Sequence, residues 1–235
     1  MAPQRPSPVL PTAMPSPIFE RLKDKRVVLA SGSPRRKDIF ENVGFKPEII
    51  PSTFSEDLSK GDFEGRLADY PIATAGEKAM EVYERLMREN DSDPAQLVIS
   101  ADTVVIFPPE KETAEGGSAH GETSEILEKP LNRAEQPELR GCNWLYPIVE
   151  APGFKLQSIS CSTLVHFFEN TREEIQAYVE HGEGHDRAGG FAIQGLGGLL
   201  IDRVDGSYDN CVGFPSSQFW KWMSRLDEEG TFNDI

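Results

Sequence analysis

The sequence predicts an α/β fold, in which strands and helices alternate along one chain. Three observations carry that prediction. A short apolar run, Val27-Val28-Leu29-Ala30, leads through Ser31-Gly32-Ser33 to Pro34 and a helical pattern. Residues 75–89 set Ala75, Ala79, Val82 and Leu86 on one helical face, ahead of an apolar strand pattern at Leu97–Phe107. A further strand pattern, Ser158–Phe168, precedes Thr171-Arg172-Glu173-Glu174, a capping box that opens another helix.

Each element follows from its residues. Residues 1–20 are rich in proline (Pro3, Pro6, Pro8, Pro11, Pro15, Pro17) and poor in apolar periodicity. They are predicted to be a disordered leader, because such a stretch cannot offset its ordering entropy. Residues 21–230 form the predicted single domain. Ser33 suits a helix N-cap and Pro34 the first helical position. The helix should bury Ile39, Phe40 and Val43 and stop at Gly44. Residues 108–128 carry six acids and one base and read as a solvated, acidic loop insertion. The capping-box helix turns Ile175, Tyr178 and Val179 inward and ends at Gly182. Leu199–Val204 and Ser207–Gly213 read as a hairpin around Asp205-Gly206. A last helix after Pro215 presents Phe219, Trp222 and Leu226.

The 235 residues include 39 acids and 24 bases, a net charge of −15. A surface so acidic repels a phosphate backbone, which speaks against a nucleic-acid polymer as partner. It leaves room for a small phosphorylated ligand held by a few local bases. No apolar run approaches membrane-spanning length. Cys142, Cys161 and Cys211 are odd in number and widely spaced, which fits a reducing compartment and a cytoplasmic location.

Three segments have the residue types that chemistry needs. A strand, a small-residue turn and a helix N-terminus make an anion site from backbone alone. Here Arg35 and Arg36 follow at once, and cations in a first turn oppose the helix dipole unless an anion neutralises them. An ordinary βα junction with exposed arginines fits the same residues. Asp102, inside a strand pattern, must be exposed, paired or metal-bound, because an unpaired buried charge is expensive; a strand-end cap is the plainer account. Ala188–Gly198 is rich in glycine, as expected where backbone approaches a ligand, another strand or a tight turn, and its Gln194 can pair a donor and an acceptor with a base edge. His181 and His185 are separated by helix-breaking glycines and lack a third ligand at zinc spacing.

Together these segments resemble the Maf family of nucleotide pyrophosphatases. The resemblance rests on Leu29-Ala30-Ser31-Gly32-Ser33-Pro34-Arg35-Arg36, Ala101-Asp102-Thr103 and Glu128-Lys129-Pro130. It continues in Asp186-Arg187-Ala188-Gly189-Gly190-Phe191-Ala192-Ile193-Gln194-Gly195 and in Gly206–Pro215, in family order over about residues 25–226. It implies a Maf/inosine-triphosphatase-like fold: an elongated mixed sheet flanked by helices, with a cleft between two lobes, often dimeric. It implies hydrolysis of a nucleoside triphosphate to its monophosphate and pyrophosphate, with a divalent metal (Mg or Mn) as cofactor. Asp102 matches the family's proton acceptor, and with Glu56 it would hold the metal. Arg35, Thr103 and Gln194 match the substrate-selecting set of the dTTP/UTP branch; the branch acting on 7-methyl-GTP carries Trp where Arg35 stands. Arg36, Lys78 and Lys129 match basic positions, and Ser31 and Ser33 belong to the anion-binding turn.

One departure stands out. Family members carry a helix and a strand ending in a Val-x-Thr-Gly-like motif where this chain passes from Leu131 to Val149 without the Thr-Gly pair. A segment of roughly 20 residues, the mean size of a helix, a loop and a strand, is therefore expected to be missing near 136–145. Loss of a central strand would impair catalysis, which leaves a nucleotide-binding protein without turnover as the alternative function.

Overall fold

The computed structural model describes residues 5–89, 94–107, 125–127, 142–150 and 155–233. It is a mixed α/β architecture. Helix α1 (Pro17–Leu22) precedes strand β1 (Val27–Leu29), helix α2 (Pro34–Asn42) and strand β2 (Glu48–Ile49). Helix α3 (Asp69–Arg88) leads to β3 (Leu97–Ile99), β4 (Asp102–Phe107), β5 (Glu125–Leu127), β6 (Cys142–Glu150) and β7 (Lys155–Phe167). Helix α4 (Arg172–His181), strand β8 (Ile201–Asp205) and helices α5 (Tyr208–Val212) and α6 (Ser216–Glu228) complete the order.

The described strands join in one sheet, β2-β1-β3-β6-β4-β5, with β7 pairing β6 and β8. Pairing is parallel where β1 meets β2 and β3, and antiparallel elsewhere. Both faces of β1 and β3 are covered, which is why their sequences are apolar throughout. Val27, Leu29, Leu97 and Ile99 pack with Phe40, Phe219 and Met223 on one face. Val28, Ala30 and Val98 pack with Ala79, Val82 and Leu86 of α3 on the other.

The predicted strand 97–107 is interrupted at Ser100-Ala101. β3 pairs with Ile148–Glu150 and β4 with Cys142–Leu145, so the two lie end to end along one edge of β6 while β7 runs along the other. The Ser100 hydroxyl donates to the Ala75 carbonyl of α3, pinning the break against that helix.

Several expectations are corrected. Much of the proline-rich stretch is ordered: Ser16 caps α1, Pro17 occupies its first turn, and Ile18, Phe19 and Leu22 enter the main core. Val9 forms a bridge with Phe45, and Leu10 N–H donates to the Gly44 carbonyl. Three buried apolar side chains and backbone pairing overcome the ordering entropy that composition alone suggested would win. The hairpin around Asp205-Gly206 does not form. β8 pairs with β7 instead, and Ser207 caps α5 by accepting the Asn210 N–H, so Cys211 sits on a helix and not a strand. Within the acidic insertion, Glu125–Leu127 is strand β5 on the edge of β4, and 108–124 and 128 lie outside the described residues. Of the stretch near 136–145, residues up to 141 lie outside them too, while Cys142–Leu145 belong to β6 and fill the centre of the sheet. The capping box of α4 forms as expected, with Gly182 closing the helix at φ 81°.

Candidate functional site

The turn from β1 into α2 lies at the floor of a cleft of about 680 Å³. Ser31, Ser33, Arg35, Arg36, Glu56, Lys78, Asp102 and Thr103, drawn from four stretches of sequence, all line it. Ser33 holds the extended N-cap geometry (φ −71°, ψ 117°), yet its hydroxyl makes no cap bond, and the first turn of α2 carries no acid. That helix end is therefore left for an anion to complete.

Arg36 ties three elements together. Its Nη1 donates to Ser31 Oγ at 2.9 Å, its Nη2 to Thr103 Oγ1 at 2.8 Å and its Nε to the Gly213 carbonyl at 3.0 Å. Ser31 is buried and also accepts the Ser33 N–H. Arg36 thus braces the turn against β4 and the junction between α5 and α6. Among the described residues Arg35 makes no such bonds. Burial, followed by the neighbouring guanidinium groups of Arg187 and Arg36, pulls it down to about 10, with Asp186 opposing. It stays charged at neutral pH, in a setting that an anion would stabilise.

A second cluster lines the same cleft. Lys78 of α3 is 8% exposed, and its Nζ lies 2.8 Å from Asp102 Oδ1 and 2.9 Å from Glu56 Oε1. The break after β3 makes Asp102 the first residue of β4, where it reaches Lys78. Burial raises the Asp102 carboxyl above the usual range, and Lys78 and Arg36 pull it back. Glu56 reaches Lys78 from a loop with φ 54°, the only non-glycine on the left-handed side among the described residues. Its loop is anchored one helical turn along α3. Glu81 accepts from Ser52, from Thr53 backbone and hydroxyl, and from Arg85.

A narrow recess adjoins the cleft, and Arg35, Thr103 and Gln194 meet in it, together with Arg187 and Phe191. These three residues, far apart in sequence, therefore line one small volume. Lys129 lies outside the described residues. Sequence reasoning missed Arg187, whose Nη1 is buried with no hydrogen-bond partner among the described residues. The available signal was its position in the Asp186-Arg187-Ala188-Gly189 run. Ser52 and Tyr70 also line the cleft and carried no sequence signal. Among the described residues no group of three or more His, Cys, Asp or Glu side chains gathers around a metal position. Glu56 and Asp102 are two carboxylates on one ammonium group. That donor set suits a hard cation completed by phosphate oxygens and water.

A family model described as Maf-like protein matches residues 26–226. The chain is 37% identical to a dTTP/UTP pyrophosphatase of Schizosaccharomyces pombe, over 91% of this chain and 88% of that protein. It is 33% identical to a dTTP/UTP pyrophosphatase of a Thermoanaerobacter species, over 85% of this chain and 96% of that one. It is 36% identical to a human probable bifunctional dTTP/UTP pyrophosphatase/methyltransferase protein, over 89% of this chain but 33% of that longer protein. The matched span contains the whole cleft, and by it the chain belongs to the Maf-like protein family.

Proposed function

We propose that this protein hydrolyses nucleoside triphosphates, dTTP and UTP among them, to the monophosphate and pyrophosphate. The observation that carries this is the meeting of Arg35, Thr103 and Gln194 in one recess beside the Lys78–Asp102–Glu56 cluster. The names of the relatives agree with it. In this reading the base enters the recess and the triphosphate lies along the α2 N-terminus. About four negative charges must be neutralised there, which Arg35, the helix end and Lys78 supply, joined by Lys129. Asp102 accepts the proton of the attacking water as its oxygen bonds to the α-phosphorus, and the α–β bridging oxygen leaves with pyrophosphate. Lys78 holds the Asp102 carboxylate in place and offsets the cost of its burial.

Glu56 and Asp102 would hold a divalent cation, Mg or Mn, whose charge would offset that of the phosphates and favour loss of a proton from the attacking water. The pairing of β6 with β3, β4 and β7 supports the enzymatic reading over the alternative of a binding protein without turnover. Among the described residues no helix is long and apolar enough to cross a membrane. Cys161 and Cys211 are free thiols, which supports a cytoplasmic setting. A homodimer is also part of the proposal.

The test is pyrophosphate release from a triphosphate panel with Mg or Mn. UTP and dTTP should give pyrophosphate and the monophosphate, with CTP and 7-methyl-GTP much slower. Nucleotide binding without release would overturn the enzymatic reading in favour of a binding protein.

A further inference from the structure

Helix α4 ends at His181, and the corner beyond it meets the loop that carries Gln194. Gly182, at φ 81°, reverses the chain and donates its N–H to the Tyr178 and Val179 carbonyls. That reversal sets Glu183 beside residues 195–197. The Glu183 carboxylate accepts the Leu196 N–H through Oε1 at 3.2 Å and the Gly197 N–H through Oε2 at 3.0 Å. One helical turn back, the Tyr178 hydroxyl accepts the Ala192 N–H at 3.0 Å. Gln194 is therefore flanked on both sides by backbone amides fastened to one pair of side chains.

Two glycines in this run are explained by the same contacts. A Cβ on Gly195 would collide with the Glu183 carboxylate, and a Cβ on Gly197 would stand 2.9 Å from the Tyr178 hydroxyl and 2.8 Å from the Ala192 carbonyl oxygen. The sequence suggested close approach to a ligand, another strand or tight turns; at these two positions the neighbours are the Glu183 carboxylate, the Tyr178 hydroxyl and the Ala192 backbone. Neither Tyr178 nor Glu183 lines the cleft or the recess.

Why the loop must be held follows from the chemistry of an amide. Gln194 offers one acceptor and one donor group side by side. In one orientation they match the N3–H and O4 of uracil or thymine. Turned over, they match the N3 and amino group of cytosine equally well. Discrimination requires the amide to meet the base at one place and angle, which a fixed backbone at residues 192–197 supports and a freely moving loop would not.

We propose that Tyr178 and Glu183 are positioning residues that fix Gln194 against the base, so that pyrimidine selection depends on a side-chain pair outside the pocket. The proposal rests on the base-reading role given to Gln194 above. Its test compares kcat and KM for UTP and CTP, by pyrophosphate release, in the wild type, Glu183→Ala, Glu183→Gln and Tyr178→Phe, with a thermal melt of each. For Glu183→Ala the UTP/CTP ratio of kcat/KM is expected to fall about tenfold or more, through a raised KM for UTP with kcat largely kept. Glu183→Gln, which retains one acceptor oxygen, should recover part of that ratio. Tyr178→Phe removes only the hydroxyl and should lower the same ratio, so it decides the matter should Glu183→Ala not fold. A lowered melting temperature with an unchanged UTP/CTP ratio would show a merely structural clamp and overturn the proposal. A wild type that releases no pyrophosphate from UTP would instead overturn the reading on which it rests.

Discussion

Lys78 shows how much a single side chain does here. It is an ammonium group buried among apolar neighbours of α3, and two carboxylates share it. Asp102→Asn keeps the shape and removes the proposed base. Turnover should fall by about 10²–10⁴-fold, the usual share of general acid–base catalysis, while circular dichroism and the melt remain near wild type. Near-normal hydrolysis by that variant would remove Asp102 from its role. Arg36→Ala releases Ser31, Thr103 and Gly213 together. A loss of about 2–3 kcal/mol in denaturant unfolding is expected, in the range for bonds to a charged group, with a raised KM for UTP. At this scale the sequence named nearly every residue of the cleft, because the motifs are local. It could not show that Arg36 reaches Thr103 and Gly213, or that Arg187 turns into the recess, since those contacts join residues distant in sequence.

At the scale of elements, helix α1 and the loop before Glu56 decide how firmly the site is framed. Ile18 is buried in the main core, and Ile18→Ala should cost about 2–5 kcal/mol by chemical denaturation; a leader without structure would show no change. Glu81 joins α3 to residues 52 and 53. Burial works against its charge, but hydrogen bonds from Arg85, the Thr53 backbone, Ser52 and the Thr53 hydroxyl hold it at about 2, below its ordinary 4.5. A depressed carboxyl stabilises the fold above its unfolded value. That contribution is lost as pH falls from about 4.5 towards 2. Thermal melts should therefore show Glu81→Gln less stable than wild type at neutral pH, with the gap closing across that acid range. The two misread elements share a cause. Ser16-Pro17 and Ser207 carry proper capping signals, but proline content outweighed the first and the Asp205-Gly206 turn dipeptide the second. What decided both was packing: α1 against the main core, and β8 against β7. The α4 capping box was legible because its two bonds lie within four residues.

For the molecule as a whole, a charge of −15 coexists with a cleft lined by Arg35, Arg36 and Lys78. The outer field should keep polyanions away while the cleft takes a small one. No mobility shift with duplex DNA is expected at physiological salt, and a salt-sensitive shift would show a basic surface that the charge balance hides. β6 joins the sheet around that cleft, with β3 and β4 along one edge and β7 along the other. The left-handed backbone of Glu56 has a consequence at this same scale. A non-glycine residue there costs about 1–2 kcal/mol, and asparagine or glycine would relieve much of it. Selection for heat resistance alone would thus draw position 56 toward those residues and discard its carboxylate. Glutamate at 56 records a compromise in which the fold stays a little weaker than it could be so that the cleft keeps its second acid.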